Sequence, residues 1–179
     1  MTERQEYADA EKAAHDNAGA QKLHGVALAL AVDLDGPLVG VIVLGPSGSG
    51  KSLLALNAVN ACPYRRTRLV ADDVVHLRVD RGRIVARAPS RLSGLIEVRG
   101  LGPTPIVMTP ETSVLLAVDL SAPTTRVPEP GLFHPLAQAA PTPLYPFKVD
   151  APAAGARLVA LARSILVDKI DDAGRNTRF

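Results

Sequence analysis

The chain has 179 residues, of which 47% are hydrophobic, and a formal net charge of +2. That length buries one sizeable core and leaves no room for a second full domain, so a single domain is expected. Aromatics make up 3% and tryptophan is absent, which argues against a base-stacking surface for nucleic acid. So small a charge without a long basic run implies no polyanionic partner. The single cysteine, Cys62, excludes an internal disulfide. No Cys/His cluster has metal-ligand spacing. A reducing, cytoplasmic setting follows, with Cys62 read as a small structural thiol.

Residues 1–21 are charged and alanine-rich without an apolar core. They read as a flexible lead-in, neither a signal peptide nor a membrane span. From Leu23 the pattern turns to strand. Val26–Val32 is apolar, Asp33-Leu34-Asp35-Gly36-Pro37 supplies turn chemistry, and Val39–Leu44 returns, predicting a hairpin. A helix follows over Lys51–Val59. Strands are expected over Arg68–Leu77, Arg83–Arg87, Ser93–Arg99 and Ser113–Leu120. Hairpins outnumber βαβ units, so the α/β sheet should be mixed. Between 121 and 146 prolines recur at Pro123, Pro128, Pro130, Pro135, Pro141, Pro143 and Pro146, which predicts a loop without regular structure. Pro152–Val167 has helical spacing and reads as a terminal helix, with 171–179 as a tail.

The informative motif is Gly45-Pro46-Ser47-Gly48-Ser49-Gly50-Lys51-Ser52, an unbroken GxxxxGKS directly after the apolar run Leu38–Leu44. Strand, glycine loop and helix in this order form a phosphate cradle, because glycine lets backbone N–H groups turn inward around an anion. Lys51 would lie along the β- and γ-phosphates of ATP. Ser52 would ligate Mg²⁺, and the helix would aim its positive end at the nucleotide.

Phosphoryl transfer also needs a second metal ligand and a group to take the proton of the nucleophile. Leu69-Val70-Ala71-Asp72-Asp73 ends a strand in adjacent carboxylates, and Ile96-Glu97-Val98-Arg99-Gly100-Leu101-Gly102 puts an acid and a base around a strand that ends in a glycine turn. Neighbours on one strand point to opposite faces, so only one aspartate can meet the nucleotide unless the strand bends there. Taken singly, His24 could be a surface histidine, Asp72-Asp73 a polar strand end, and Glu97 and Arg99 an exposed ion pair. His15, His76 and His134 have no partner motif.

Read together, His24-Gly25, the GPSGSGKS loop, Arg68–Asp73 and Ile96–Gly102 resemble the catalytic domain of the HPr kinase/phosphorylase family over residues 22–120. The resemblance implies a P-loop kinase domain over 22–170 like that of phosphoenolpyruvate carboxykinase. It implies phosphorylation of a serine on an HPr-type phosphocarrier with ATP and Mg²⁺, the reverse phosphorolysis to pyrophosphate, and a homo-oligomer. Carried over by position, Asp72 is the general base of the kinase direction and the acid of the reverse one. Glu97 joins Ser52 on Mg²⁺, His24 contacts phosphate oxygens or holds Asp72, and Arg99 serves both activities. Asp73 and Glu97 would crowd Asp72 and raise its pKa, while Lys51 and Mg²⁺ would oppose this.

The chain departs from the family in having no Arg-Pro-Gly-Arg stretch ahead of the last helix. Val149-Asp150-Ala151-Pro152-Ala153-Ala154-Gly155 stands there, so kinase activity is expected to outweigh phosphorolysis. Arg126 is the candidate for the distal catalytic arginine. A P-loop kinase of another substrate and a non-catalytic ATP-sensing module are the alternatives.

Overall fold

The computed structural model describes residues 20–88, 94–150 and 153–175, with side chains to Val167. The greater part of the expected lead-in, over 1–19, and the last residues of the tail, 176–179, lie outside the described residues.

The chain runs β1 (Gln21–His24), β2 (Val26–Leu30), β3 (Val39–Leu44), α1 (Lys51–Asn60), β4 (Arg68–Ala71), β5 (Val74–Asp80), β6 (Arg83–Arg87), β7 (Leu95–Val98), β8 (Gly102–Pro105), β9 (Glu111–Asp119), β10 (Gly131–Phe133), β11 (Thr142–Pro146) and α2 (Ala154–Arg175). Among the described residues one sheet has the path β1-β5-β6-β9-β3-β2-β4, with β11 beside β9 and β10 beside β11. β9 is parallel to β3 and β11, while the other pairs are antiparallel. The fold is therefore α/β with a mixed sheet, as expected, and β2 and β3 form the expected hairpin.

Every residue of β2 is buried, because both sheet faces are covered and the strand alternates between them. Val26, Leu28 and Leu30 join Val41, Val43, Leu116 and Val118 against Leu54, Ala55 and Ala58 of α1 and Leu158, Ala162 and Ile165 of α2. Ala27 and Ala29 face the other way, toward Val75, Leu77, Ile84 and Phe133. Cys62, just past α1, is buried and forms no disulfide.

Four expectations are corrected. The stretch Arg68–Leu77 is two strands, because Asp73 has a left-handed φ of 70° and bends the chain out of the sheet. The strand signal that begins at Leu23 is divided: His24 ends β1, an edge strand on β5, and the hairpin starts at Val26. The Pro-rich segment contains β10 and β11. Pro143 and Pro146 are tolerated there because β11 pairs over only three residues on each side, so few ladder hydrogen bonds are lost. The terminal helix extends past Val167 to Arg175, into the expected tail. Strand β8, which pairs with β7, had no sequence signal.

Candidate phosphate-binding and phosphoryl-transfer site

The loop between β3 and α1 turns through glycines. Gly45, Gly48 and Gly50 have φ of 145°, 81° and 93°, a region that side-chain-bearing residues rarely enter. Gly50 is the N-cap of α1, with no side-chain cap and no acidic residue in the first turn. The helix N-terminus thus keeps its donors and its positive end uncompensated. Inside the loop, Ser49 Oγ is buried with no partner among the described residues. These unmet donors fit a bound phosphate chain.

Lys51 is 7% exposed. Its ammonium donates to the carbonyls of Gly45 and Pro46, each at 2.9 Å, and lies 3.4 Å from His24 Nε2. On its other ring nitrogen, His24 Nδ1 is 3.0 Å from Asp73 Oδ1. A proton on Nδ1 shared with Asp73 leaves Nε2 as an acceptor for Lys51, so Asp73, His24 and Lys51 form a relay of contacts ending in the loop. The left-handed turn at Asp73 makes this possible. It sends the carboxylate back over β1, where Gly25 N–H also donates to the Asp73 carbonyl at 3.1 Å.

Asp72, at the same break, takes the opposite direction. Its Oδ1 accepts from Ser52 Oγ at 2.8 Å, and backbone N–H groups of Glu97 and Asp73 also hydrogen-bond to it. Burial pushes its carboxyl above the usual range, and the negative charge of Asp73 adds to this. The hydrogen bonds from Ser52 and from the backbone of Glu97 and Asp73 oppose the rise without cancelling it. Crowding by Asp73 is therefore the lesser cause and burial the greater. Glu97 acts on Asp72 through its backbone rather than by its charge.

Glu97 reaches Asp72 because the chain after β8 lies along β4. Leu69 exchanges hydrogen bonds with Val107 and Thr109, and Ile96 and Val98 bury in the core, which turns the Glu97 side chain outward on β7. Arg99 follows. A Cβ placed on Gly48 would stand 3.4 Å from Arg99 Nη2, so this guanidinium lies over the phosphate loop.

The structure thus gathers Lys51, Ser52, Asp72, Asp73, His24 and Arg99 around one loop. His24 meets Asp73 rather than Asp72. Ser52 meets Asp72, with no contact to Glu97. Among the described residues no three-residue group of His, Cys, Asp or Glu stands ready for a metal ion. Arg126 is exposed after β9 without a hydrogen-bond or ion-pair partner among the described residues. Sequence reasoning missed Val149, whose methyls would touch a Cβ on Gly50 at 3.0 and 3.2 Å. No local signal marks that contact.

The sequence model of the family described as HPr Serine kinase C-terminal domain matches residues 16–109, more than half of the chain. The chain belongs to this family. Among relatives, it is 42% identical to the HPr kinase/phosphorylase of Clostridium tetani and 46% identical to that of Bacillus subtilis strain 168. Each match runs over 81 residues, 45% of this chain and 23% of the relative. The chain thus matches about a quarter of the length of these relatives. Among solved structures, the HPr(Ser) kinase/phosphatase from Coxiella burnetii superposes with a TM-score of 0.70 at 19% identity, covering 89% of this chain and 99% of that one. The likeness in fold thus takes in more of the chain than the residues that the family's sequence model matches.

Proposed function

We propose that this chain is an ATP-dependent protein-serine kinase acting on a phosphocarrier of the HPr type, with a P-loop domain over 22–170 related in fold to phosphoenolpyruvate carboxykinase. The observation that carries the reading is the tie between Ser52 and Asp72 at the uncapped start of α1. It supports the reading, because this carboxylate stands beside the place where a loop-bound triphosphate would end. Family membership supports the substrate class, since the curated relatives are named HPr kinase/phosphorylase.

In this reading the backbone of Gly45–Ser52 cradles the phosphates, and Lys51 turns from the Gly45 and Pro46 carbonyls to phosphate oxygens. The acceptor serine gives its proton to Asp72 as its oxygen bonds to the γ-phosphorus. The bond from that phosphorus to the β–γ bridging oxygen breaks, and ADP leaves. A carboxyl raised by burial is a better base than an ordinary one. Ser52 and Glu97 would hold Mg²⁺, which supplies charge neutralisation for the triphosphate. His24, steadied by Asp73, presents Nε2 to Lys51 and the phosphate side, and Arg99 adds a positive charge over the loop. Arg126 remains the candidate distal arginine.

Among the described residues no helix is long and apolar enough to cross a membrane. A cytoplasmic homo-oligomer, without nucleic acid or membrane partners, completes the proposal. Its test is incubation of the purified chain with Mg-ATP and HPr-type carriers, followed by mapping of phosphate by mass spectrometry. Phosphoserine on the carrier is expected. ATP binding without any transfer would favour the sensing module instead.

A further inference from the structure

The phosphate loop has two flanks of different character. On one side stand Arg99 over Gly48, His24 beside Lys51, and Asp72 beside Ser52. The other side is walled by chain from the ends of β9 and β11. Leu120 would meet a Cβ on Gly45 at 3.2 Å, and Val149 would meet one on Gly50 at 3.0 Å. These same residues line a cleft of about 450 Å³, together with Ala122, Pro123, Thr124, Lys148 and Asp150. That volume is within the range of small-molecule sites.

We infer that this cleft is the nucleoside subsite, which takes the base and ribose of the nucleoside triphosphate whose phosphates lie on the loop. The inference rests on the phosphate-loop reading given above. A triphosphate on the N-terminus of α1 must carry its nucleoside away from the reacting end, and the reacting groups hold the Gly48 flank. The cleft opens on the opposite flank, and its inner wall, Val149, is in contact with the helix cap itself. Its chemistry suits a flat heterocycle. Leu120, Ala122, Pro123 and Val149 offer apolar faces without an aromatic ring, and Thr124, Lys148 and Asp150 supply a hydroxyl, an ammonium and a carboxylate for ring nitrogens, exocyclic groups and ribose hydroxyls. All seven lining residues lie beyond residue 109, where the family's sequence pattern stops. Base preference would then be set by residues other than those that run the chemistry.

Binding of Mg-ATP and of Mg-tripolyphosphate, measured by calorimetry on the wild type and on Ala122→Trp, tests this. The wild type should bind ATP about tenfold or more tighter than tripolyphosphate. Ala122→Trp, which fills the cleft, should remove that preference and leave tripolyphosphate affinity unchanged. Photolabelling of the wild type with 8-azido-ATP, followed by peptide mapping, answers the question even if the variant fails to fold. Label on 120–124 or 148–150 is expected. Label on 95–104, or ATP binding unaltered in a folded Ala122→Trp, overturns the subsite. A wild type that binds neither compound overturns the phosphate-loop reading and the subsite with it.

Discussion

Ser52 Oγ donates to Asp72 Oδ1 at 2.8 Å, which ties the first turn of α1 to the carboxylate at the break between β4 and β5. Asp72→Asn keeps the shape and an acceptor for that bond but removes the carboxylate proposed as the base. ATP-induced thermal stabilisation should survive, and phosphate transfer should fall by about 10²–10⁴. If the loss matched a mild one in Asp73→Asn, Asp72 would not be the base.

The raised pKa of Asp72 also has a signed effect on stability. A carboxyl whose native pKa lies above its unfolded value binds its proton more tightly when folded. Its contribution favours the fold at low pH and is lost as pH rises through the raised value. Asp72→Asn carries no such penalty. It should melt higher than the wild type near pH 7, with the difference vanishing below the ordinary carboxylate range. An identical gap at both pH values would contradict burial as the cause. In the same way, the pH profile of transfer should lose its acid limb at a higher pH than an unperturbed aspartate gives.

Lys51→Ala removes the cation from the loop along with its bonds to the carbonyls of Gly45 and Pro46. Nucleotide-dependent activity should be abolished while the fold survives, because the core on both sheet faces is untouched. Circular dichroism and thermal shift with Mg-ATP check both statements. Stabilisation by ATP and turnover at the wild-type rate would rule out the phosphate role.

The contact between His24 and Asp73 joins side chains 51% and 76% exposed. Such a pair adds no more than about 1 kcal/mol to stability, so Asp73→Asn, which also suits the left-handed φ at this position, should hardly move the melting temperature. Its effect should appear in transfer. If Asp73 acts through His24, then Asp73→Asn, His24→Ala and the double variant should show strongly non-additive rate losses. Fully additive losses would separate the two residues.

Phosphorolysis requires inorganic phosphate to approach a phosphoserine dianion, so it needs more positive charge than serine phosphorylation. Lys51 and Arg99 are the cations the structure sets at the loop, and residues 149–155 add none. Pyrophosphate release from a phosphoserine carrier with phosphate and no ATP should be much slower than forward transfer. Equal rates would mean that other residues supply the charge.

The local features of the site were legible in the chain alone. A glycine-lysine-serine loop between an apolar strand and a helix depends on residues adjacent in sequence, and so do the hairpin of β2 and β3 and the placement of Lys51 and Ser52. Hydrophobic periodicity and backbone freedom act over a few residues, and both can be read from a list of residues. Distant pairings cannot. His24 meets Asp73 because β1 lies along β5 and because Asp73 adopts a left-handed turn that an unbroken strand would exclude. Asp72 meets the Glu97 backbone because the chain after β8 runs beside β4. The Pro-rich segment forms β11 because β9 offers it an edge, and Val149 reaches Gly50 from a segment distant in sequence. These contacts depend on sheet order and on the break at Asp73 that sends two adjacent carboxylates to different partners, which only the closed core decides.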